Sequence, residues 1–260
     1  MKKFILILIS LLFVTGISEG KEVSYLQNRN GIKYEVNSET PFTGRLVKKY
    51  ENGQKKVEKH YKNGMGEGLS TRWYKNGQKK FDLNNKNGEL EGLQSMWYEN
   101  GQKKMEGNLK DGKKDGLQSV WYENGQRIGK LNFKDGKEDG LQTRWYENGQ
   151  REKEVNWKNG KREGVDYWWY ENGQKKFEGN FKDGVLDGLE TEWYENGQKK
   201  CERNHRDGKE EGLWTQWWEN GQKESEGNIK NGEYEGLWTL WDTEGNVTET
   251  EIYKDGELVK

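Results

Sequence analysis

Cys201, Glu202 and His205 stand within five residues of one another. A thiol, a carboxylate and an imidazole so close together are the ingredients of an activated nucleophile or of a metal site. The periodicity around them assigns them differently. The chain repeats every 24 residues, so Cys201 occupies the slot of Phe81, Met105 and Phe177, and His205 that of Phe133 and Phe181. Both replace packing residues. His60 fills a slot otherwise held by Asn84, Asn108, Asn132 and Asn156, and no set of three zinc ligands assembles around it. Carboxylates recur in every repeat, which singles out no acid/base pair. The turn at residues 111–115 offers oxygen ligands but lacks the dense acid spacing of a calcium loop. The sequence predicts no catalytic residue, no metal and no cofactor; the protein is expected not to be an enzyme.

The elements that position these residues follow from the repeat. Asn-Gly-Gln places glycine at 53, 77, 101, 125, 149, 173, 197 and 221, with a worn copy at Gly245. Two further glycine series start at Gly44 and Gly64, and the three together hold 27 of the 35 glycines. Tryptophan keeps the same step at 73, 97, 121, 145, 169, 193, 217 and 241. Glycine at this density opposes helices, at a cost of about 1 kcal/mol for each interior glycine. Two short strands alternating with two glycine turns fit instead, which predicts a β-hairpin per repeat. The fold class is all-β: an elongated, curled single antiparallel sheet of about nine 24-residue hairpin repeats, a solenoid.

Side-chain parity sharpens the expectation. Leu69, Thr71 and Trp73 alternate onto one side of the first strand, Phe81 and Leu83 onto one side of the second. A three-residue Glu-Asn-Gly loop with a left-handed glycine pairs Trp73 with Lys79 and Thr71 with Phe81, and so gathers one common apolar face. The Lys-Asp/Asn-Gly turn then also needs an odd count, most simply five residues. On this scheme the in-phase tryptophans are mostly core, with Lys79-type stems laid on their rings. Tyr74, Arg72, Lys80, Asp82 and Asn84 lie outside. Trp168, Trp214, Trp218 and Trp238 leave the tryptophan register and join Tyr146, Tyr170 and Tyr194 on the outer face. This aromatic row is the candidate binding site, for a sugar polymer or for a partner strand or peptide; the alternative is that the rings only flank one another across strands. Glu67, Glu91, Asp115 and their equivalents form an acidic ladder, and Lys62, Lys86, Lys110 and theirs a basic one. These are expected to be solvated turn faces, or else a charge track for a partner.

Composition bounds the partners. Low hydrophobicity (30%) with 34% charged residues resembles a disordered chain, but 13 Trp and 13 Tyr oppose that. With 44 basic and 45 acidic residues the chain offers no bulk attraction to nucleic acid, and membrane association finds no support in charge. One cysteine excludes an internal disulfide framework. Residues 1–20 carry Lys2, Lys3, an apolar run at 4–14 and small residues at 16, 18 and 20, the layout of a signal peptide, with an uncleaved interfacial anchor as the alternative. No cysteine near the boundary suits a lipobox. The expected organisation is a leader at 1–20, an entry or cap segment at 21–43, the array at 44–256 and a tail at 257–260. The expected location is secreted, periplasmic or in the cell envelope.

The sequence 73–80, Trp-Tyr-Lys-Asn-Gly-Gln-Lys-Lys, and its copy at 193–200 resemble the variant MORN repeat, a hairpin unit, and the resemblance runs over about residues 42–256. Many bacterial members carry the label of a toxin–antitoxin antitoxin (YwqK-type). The resemblance implies a non-enzymatic scaffold that binds a protein partner, with no catalytic residues attached to the repeat. The leader conflicts with an antitoxin that meets its toxin in the cytoplasm. Neutralisation of a toxin by binding and attachment to cell-wall carbohydrate are the alternative functions; oligomeric state is open.

Overall fold

The computed structural model describes residues 21–259; the expected leader lies outside the described residues. Each repeat forms two strands because β-branched and aromatic residues alternate with polar ones between glycine turns. After a short β1 (Glu22–Val23) and a small hairpin of β2 (Gln27–Arg29) and β3 (Ile32–Tyr34), the array begins at β4 (Gly44–Lys49) and β5 (Lys55–Lys62). It continues through β6 (Met65–Gly66), β7 (Gly68–Trp73), β8 (Lys79–Lys86), β9 (Glu89–Trp97) and β10 (Lys103–Lys110), then repeats to Lys254. Among the described residues the result is one elongated, open sheet of 23 strands. Successive long strands pair antiparallel, while a two-residue piece such as β6 pairs only with the strand before it, so that β7 pairs with β5. β1 alone joins in parallel, against Arg45 and Leu46 of β4. Phe42, 3% exposed, packs edge-on to Tyr61 where the entry segment meets the array.

At one end of each hairpin the three-residue loop forms as expected. Tyr74 N–H donates to Gln78 O (2.8 Å), Gly77 N–H donates to Tyr74 O (3.1 Å), and Gly77 takes φ +88°. Trp73 pairs with Lys79, but Arg72 then pairs with Phe81, so Lys80 is an extra residue and Thr71 faces Asp82 rather than Phe81. This bulge overturns the expected common apolar face. Phe81 and Leu83 share a side with Arg72 and Ser70, opposite Leu69, Thr71 and Trp73. The parity argument counted the loop and missed the bulge beside it, a place where sheets gain twist.

The other turn is also corrected. Lys86 pairs with Glu89 across a two-residue Asn87-Gly88 turn with φ of +51° and +87° at its centre, not a five-residue one. Two left-handed residues match the twist of the flanking strands, which is why Asn-Gly and Asp-Gly recur there. A register shift between Leu83 and Asn85 then accommodates the extra residues around Gly92. The sheet therefore has a phenylalanine face and a tryptophan face, and neither is fully apolar or fully polar. Val155, Phe177, Phe181, Ile229 and Trp238 are buried on the first; Thr71, Ser95, Ser119, Thr191 and Thr215 are buried on the second.

Candidate binding surface

The repeat residues first hold the array together. Tyr74 O–H donates to Trp97 O of the next repeat (3.0 Å), and Asn76 Nδ2 donates to Glu99 O (2.8 Å). Asn76 Oδ1 accepts from Gln78 N–H (3.0 Å) within its own loop. Gln54 lies against Gly77 so closely that a β-carbon there would stand 3.1 Å from its Oε1. At the opposite turn, Glu67 Oε2 accepts from the N–H of left-handed Asn87 (2.9 Å), and Glu91 repeats this with Asp111 (2.8 Å). The acidic ladder is thus a set of fasteners between successive repeats, a role more specific than the solvated turn face expected of it. His60 does the work of an asparagine: its Nδ1 meets Leu69 O at 2.7 Å, as Asn84 Nδ2 meets Leu93 O at 2.5 Å.

The seven expected binding residues fall into three groups. Tyr146, Tyr170 and Tyr194 donate their hydroxyls to Trp169 O, Trp193 O and Trp217 O at 2.7–2.8 Å. Burial first, and glutamates nearby second, push these phenols above their ordinary pKa. Trp218 takes the same slot and donates Nε1–H to Trp241 O (3.1 Å). Trp168 packs at a tilt against Phe177 (4.8 Å between ring centres) and joins Tyr146, Glu152, Lys153 and Lys176 around an open depression of about 210 Å³. Trp214 and Trp238 form a separate cluster with Tyr234 and Tyr253. The tryptophans do lie opposite the in-phase series, but on the face that holds Val155, Phe177 and Ile229, so the expected outer row is corrected. Trp238 is 3% exposed and covers Gly227.

Around Cys201 and His205 the structure assembles an ion network and no nucleophile. Burial pushes the Cys201 thiol up to about 11, away from the thiolate. His205 Nε2 lies 2.5 Å from Glu190 Oε2, and Arg203 grips the same buried carboxylate with Nε and Nη2 at 2.8 and 2.9 Å. Arg203 also reaches Glu192 (2.8 Å) and Glu210 (3.2 Å). One repeat earlier, Asp166 is fully buried, accepts from Asn156 N–H (3.2 Å) and faces Arg162 Nε at 3.6 Å. Sequence reasoning passed over Glu190 and Asp166. The available signal was a carboxylate in the slot of Ser70, Gln94 and Gln118. Among the described residues no three His, Cys, Asp or Glu side chains are disposed to hold a metal ion.

The tryptophan face carries three parallel rows. In the first, Trp73, Trp97, Trp121 and their equivalents are half-buried, not core. Over six of the eight rings lies the ammonium of the preceding repeat, as Lys55 over Trp73 and Lys79 over Trp97, both at 5.6 Å; Trp145 and Trp169 carry no such cation among the described residues. The same lysines reach the second row, as in Lys79–Asp82 (2.7 Å), Lys175–Glu178 (2.6 Å) and Lys199–Glu202. Thr71 and Thr215 donate to acids of that row at 2.7 and 3.1 Å. The third row is Leu69, Leu93, Leu117, Leu141, Leu189, Leu213 and Leu237, from 39% exposed at Leu69 to 58% at Leu237. Successive positions of the row stand two strands apart, about 9.6 Å at ordinary strand spacing, with Val165 holding the slot between Leu141 and Leu189. Single exposed leucines are unremarkable; seven in one row are not scattered. The expected common face had placed them inside.

The family model for the MORN repeat variant matches residues 42–63, 90–111, 114–135, 138–159, 162–183, 186–207 and 210–231, together more than half of the chain. No curated protein matches the chain. The unmatched stretch at 66–87 forms the same hairpin, with the same tyrosine and asparagine fasteners at Tyr74 and Asn76. Repeats of this kind are commonly associated with scaffolds that bind proteins or membranes, and their all-β fold is typically non-catalytic. With the motif, the hairpin and the fasteners in one 24-residue frame, the chain belongs to the MORN repeat variant family.

Proposed function

We propose that the protein is an exported, non-enzymatic scaffold that binds a protein partner through its tryptophan face. The observation that carries this reading is the row of seven half-exposed leucines, whose neighbours on the face already satisfy one another. Lysine, acid, threonine and tryptophan are mutually engaged there, so the leucines are the groups with most to gain from leaving water. A carbohydrate would need a run of bare ring faces to stack on, whereas six of the eight in-phase tryptophans are capped by ammonium groups, all but Trp145 and Trp169. Export rests on the leader at residues 1–20, and recovery of the protein in the cytoplasm contradicts it. A partner that is toxic when produced alone would make this chain its antitoxin, the particular case that the family label implies. The test captures partners from the cell envelope with wild-type protein and with Leu117, Leu141 and Leu189 replaced by serine. Wild type is expected to enrich a discrete protein that the variant loses with its circular dichroism unchanged; equal capture by both refutes the leucine row.

A further inference from the structure

The near-neutral total hides an electrically polar chain. Residues 44–110 hold 15 Lys and Arg against 8 Asp and Glu, a surplus of 7 positive charges. Residues 186–251 hold 7 against 17, a surplus of 10 negative charges, and residues 111–185 are balanced at 15 against 14. Much of the imbalance gathers on the phenylalanine face. Lys48 and Arg72 sit in line across Val57, and Lys59 pairs with Leu46. Lys56, Lys80 and Lys104 lie over Tyr50, Tyr74 and Tyr98 at 5.4, 5.0 and 5.1 Å. Their counterparts on the other face, Lys55, Lys79 and Lys103, each hold a carboxylate. On the phenylalanine face, by contrast, none of Lys48, Lys56, Lys59, Arg72, Lys80 and Lys104 has a carboxylate partner among the described residues. Burial first, then the like charges of Arg72, Lys33 and Lys48, hold the Lys59 ammonium below its ordinary pKa.

The far end of the same face is the opposite. Glu224 takes the slot of Lys56, Lys80 and Lys104. Glu249 stands across from Leu240 and Glu251 across from Trp238. Glu224 accepts from Gln216 (2.6 Å) and Glu251 from Tyr253 (2.8 Å), but none of the three has a cation partner among the described residues.

We infer that two copies of this chain associate antiparallel through their phenylalanine faces, the basic end of each lying on the acidic end of the other. A two-fold relation makes the two contacts identical and closes the assembly. Both copies share the 24-residue pitch, so each hairpin of one copy meets a hairpin of the other at the same spacing. An anionic lipid surface or a polyanion would satisfy the basic end and repel the acidic one; a second copy satisfies both. The leucine rows then face outward on both sides, and this inference stands independently of what they bind.

Analytical ultracentrifugation of the full chain at low and high salt tests it. Wild type is expected to dimerise at low salt, with association weakening at least about tenfold as ionic strength rises to several hundred millimolar, as exposed charges are screened. K48E/K56E/K80E takes residues 44–110 to 12 basic against 11 acidic residues and so removes the basic end; E224K/E249K/E251K takes residues 186–251 to 10 against 14 and cuts the acidic surplus from 10 to 4. Each alone should associate at least about tenfold more weakly than wild type, with unchanged circular dichroism. Mixed, the two set one unaltered basic end against one unaltered acidic end, so the heterodimer should form in preference to either homodimer. Three results overturn the inference: a wild type that stays monomeric at low salt, charge reversals that leave association unchanged, or a mixture with no preference for the heterodimer. A monomer that binds anionic vesicles through Lys48, Lys56 and Lys80 also overturns it.

Discussion

Asp166 shows at the scale of one side chain how a repeat tolerates an awkward residue. Burial raises its carboxyl to about 6 from an ordinary 3.8, against the opposing pull of Asn156 N–H, Arg162 and Lys153. Below about pH 4 the group is protonated in folded and unfolded chains alike. Between the two values the unfolded chain releases the proton and the folded chain keeps it, so stability falls as pH rises and the loss is complete above about pH 6. Asp166→Asn should therefore match wild type in acid and exceed it by on the order of 2 kcal/mol above pH 7, measured by denaturant titration across pH. A difference that does not vary with pH contradicts this assignment. Gly227 makes a steric counterpart. A β-carbon there would stand 2.2 Å from the buried Trp238 ring, and a rigid indole cannot yield as a flexible glutamine can. Gly227→Ala should cost about 1–3 kcal/mol by overpacking, with the loss seen in thermal unfolding and in Trp238 fluorescence. The residue scale was partly legible. The slots of Cys201, His205 and His60 followed from the repeat, but the partners of Tyr74, Asn76 and Glu67 lie one repeat onward, and periodicity does not say which groups of two neighbouring repeats touch.

At the scale of the hairpin, the repeat length, the strand count and the left-handed glycine of the three-residue loop were all written in the glycine series. What failed was side-chain direction. A single extra residue at Lys80 exchanges the face of every residue beyond it, and Lys79-Lys80 gives no composition signal of a bulge. The premise that one face must collect all apolar side chains was also too strong. Here lysines sheltering tryptophans and threonines bonding to acids let both faces hold partly buried residues. The hairpin remains the cooperative unit whichever face is which. Deleting residues 117–140 removes one 24-residue period and rejoins equivalent positions, so the fasteners re-form and circular dichroism should keep its strand signal. Deleting 12 residues, 117–128, would join a tip to a strand of the wrong direction and should unfold the neighbouring repeats. Equal damage from the two deletions would refute the hairpin as the unit.

At the scale of the molecule, the array is a one-dimensional stack in which each hairpin touches only its neighbours, so large continuous surfaces come from small repeated ones. The rows gain meaning only as rows. One leucine exposed by half signifies little, whereas Leu69 to Leu237 line one face along the array. Total charge likewise described neither end of the array, since a basic end and an acidic end cancel in the sum. The central claim is that the leucine row is the binding surface. Its most direct measurement is the affinity of the captured partner for wild type, for the Leu117, Leu141 and Leu189 serine triple, and for Lys80→Ala on the opposite face. Losing about 1.5–3 kcal/mol for each apolar side chain buried at a contact predicts at least about a hundredfold weakening for the triple, and wild-type affinity for Lys80→Ala. An unchanged dissociation constant for the triple, with its fold intact, would contradict the account.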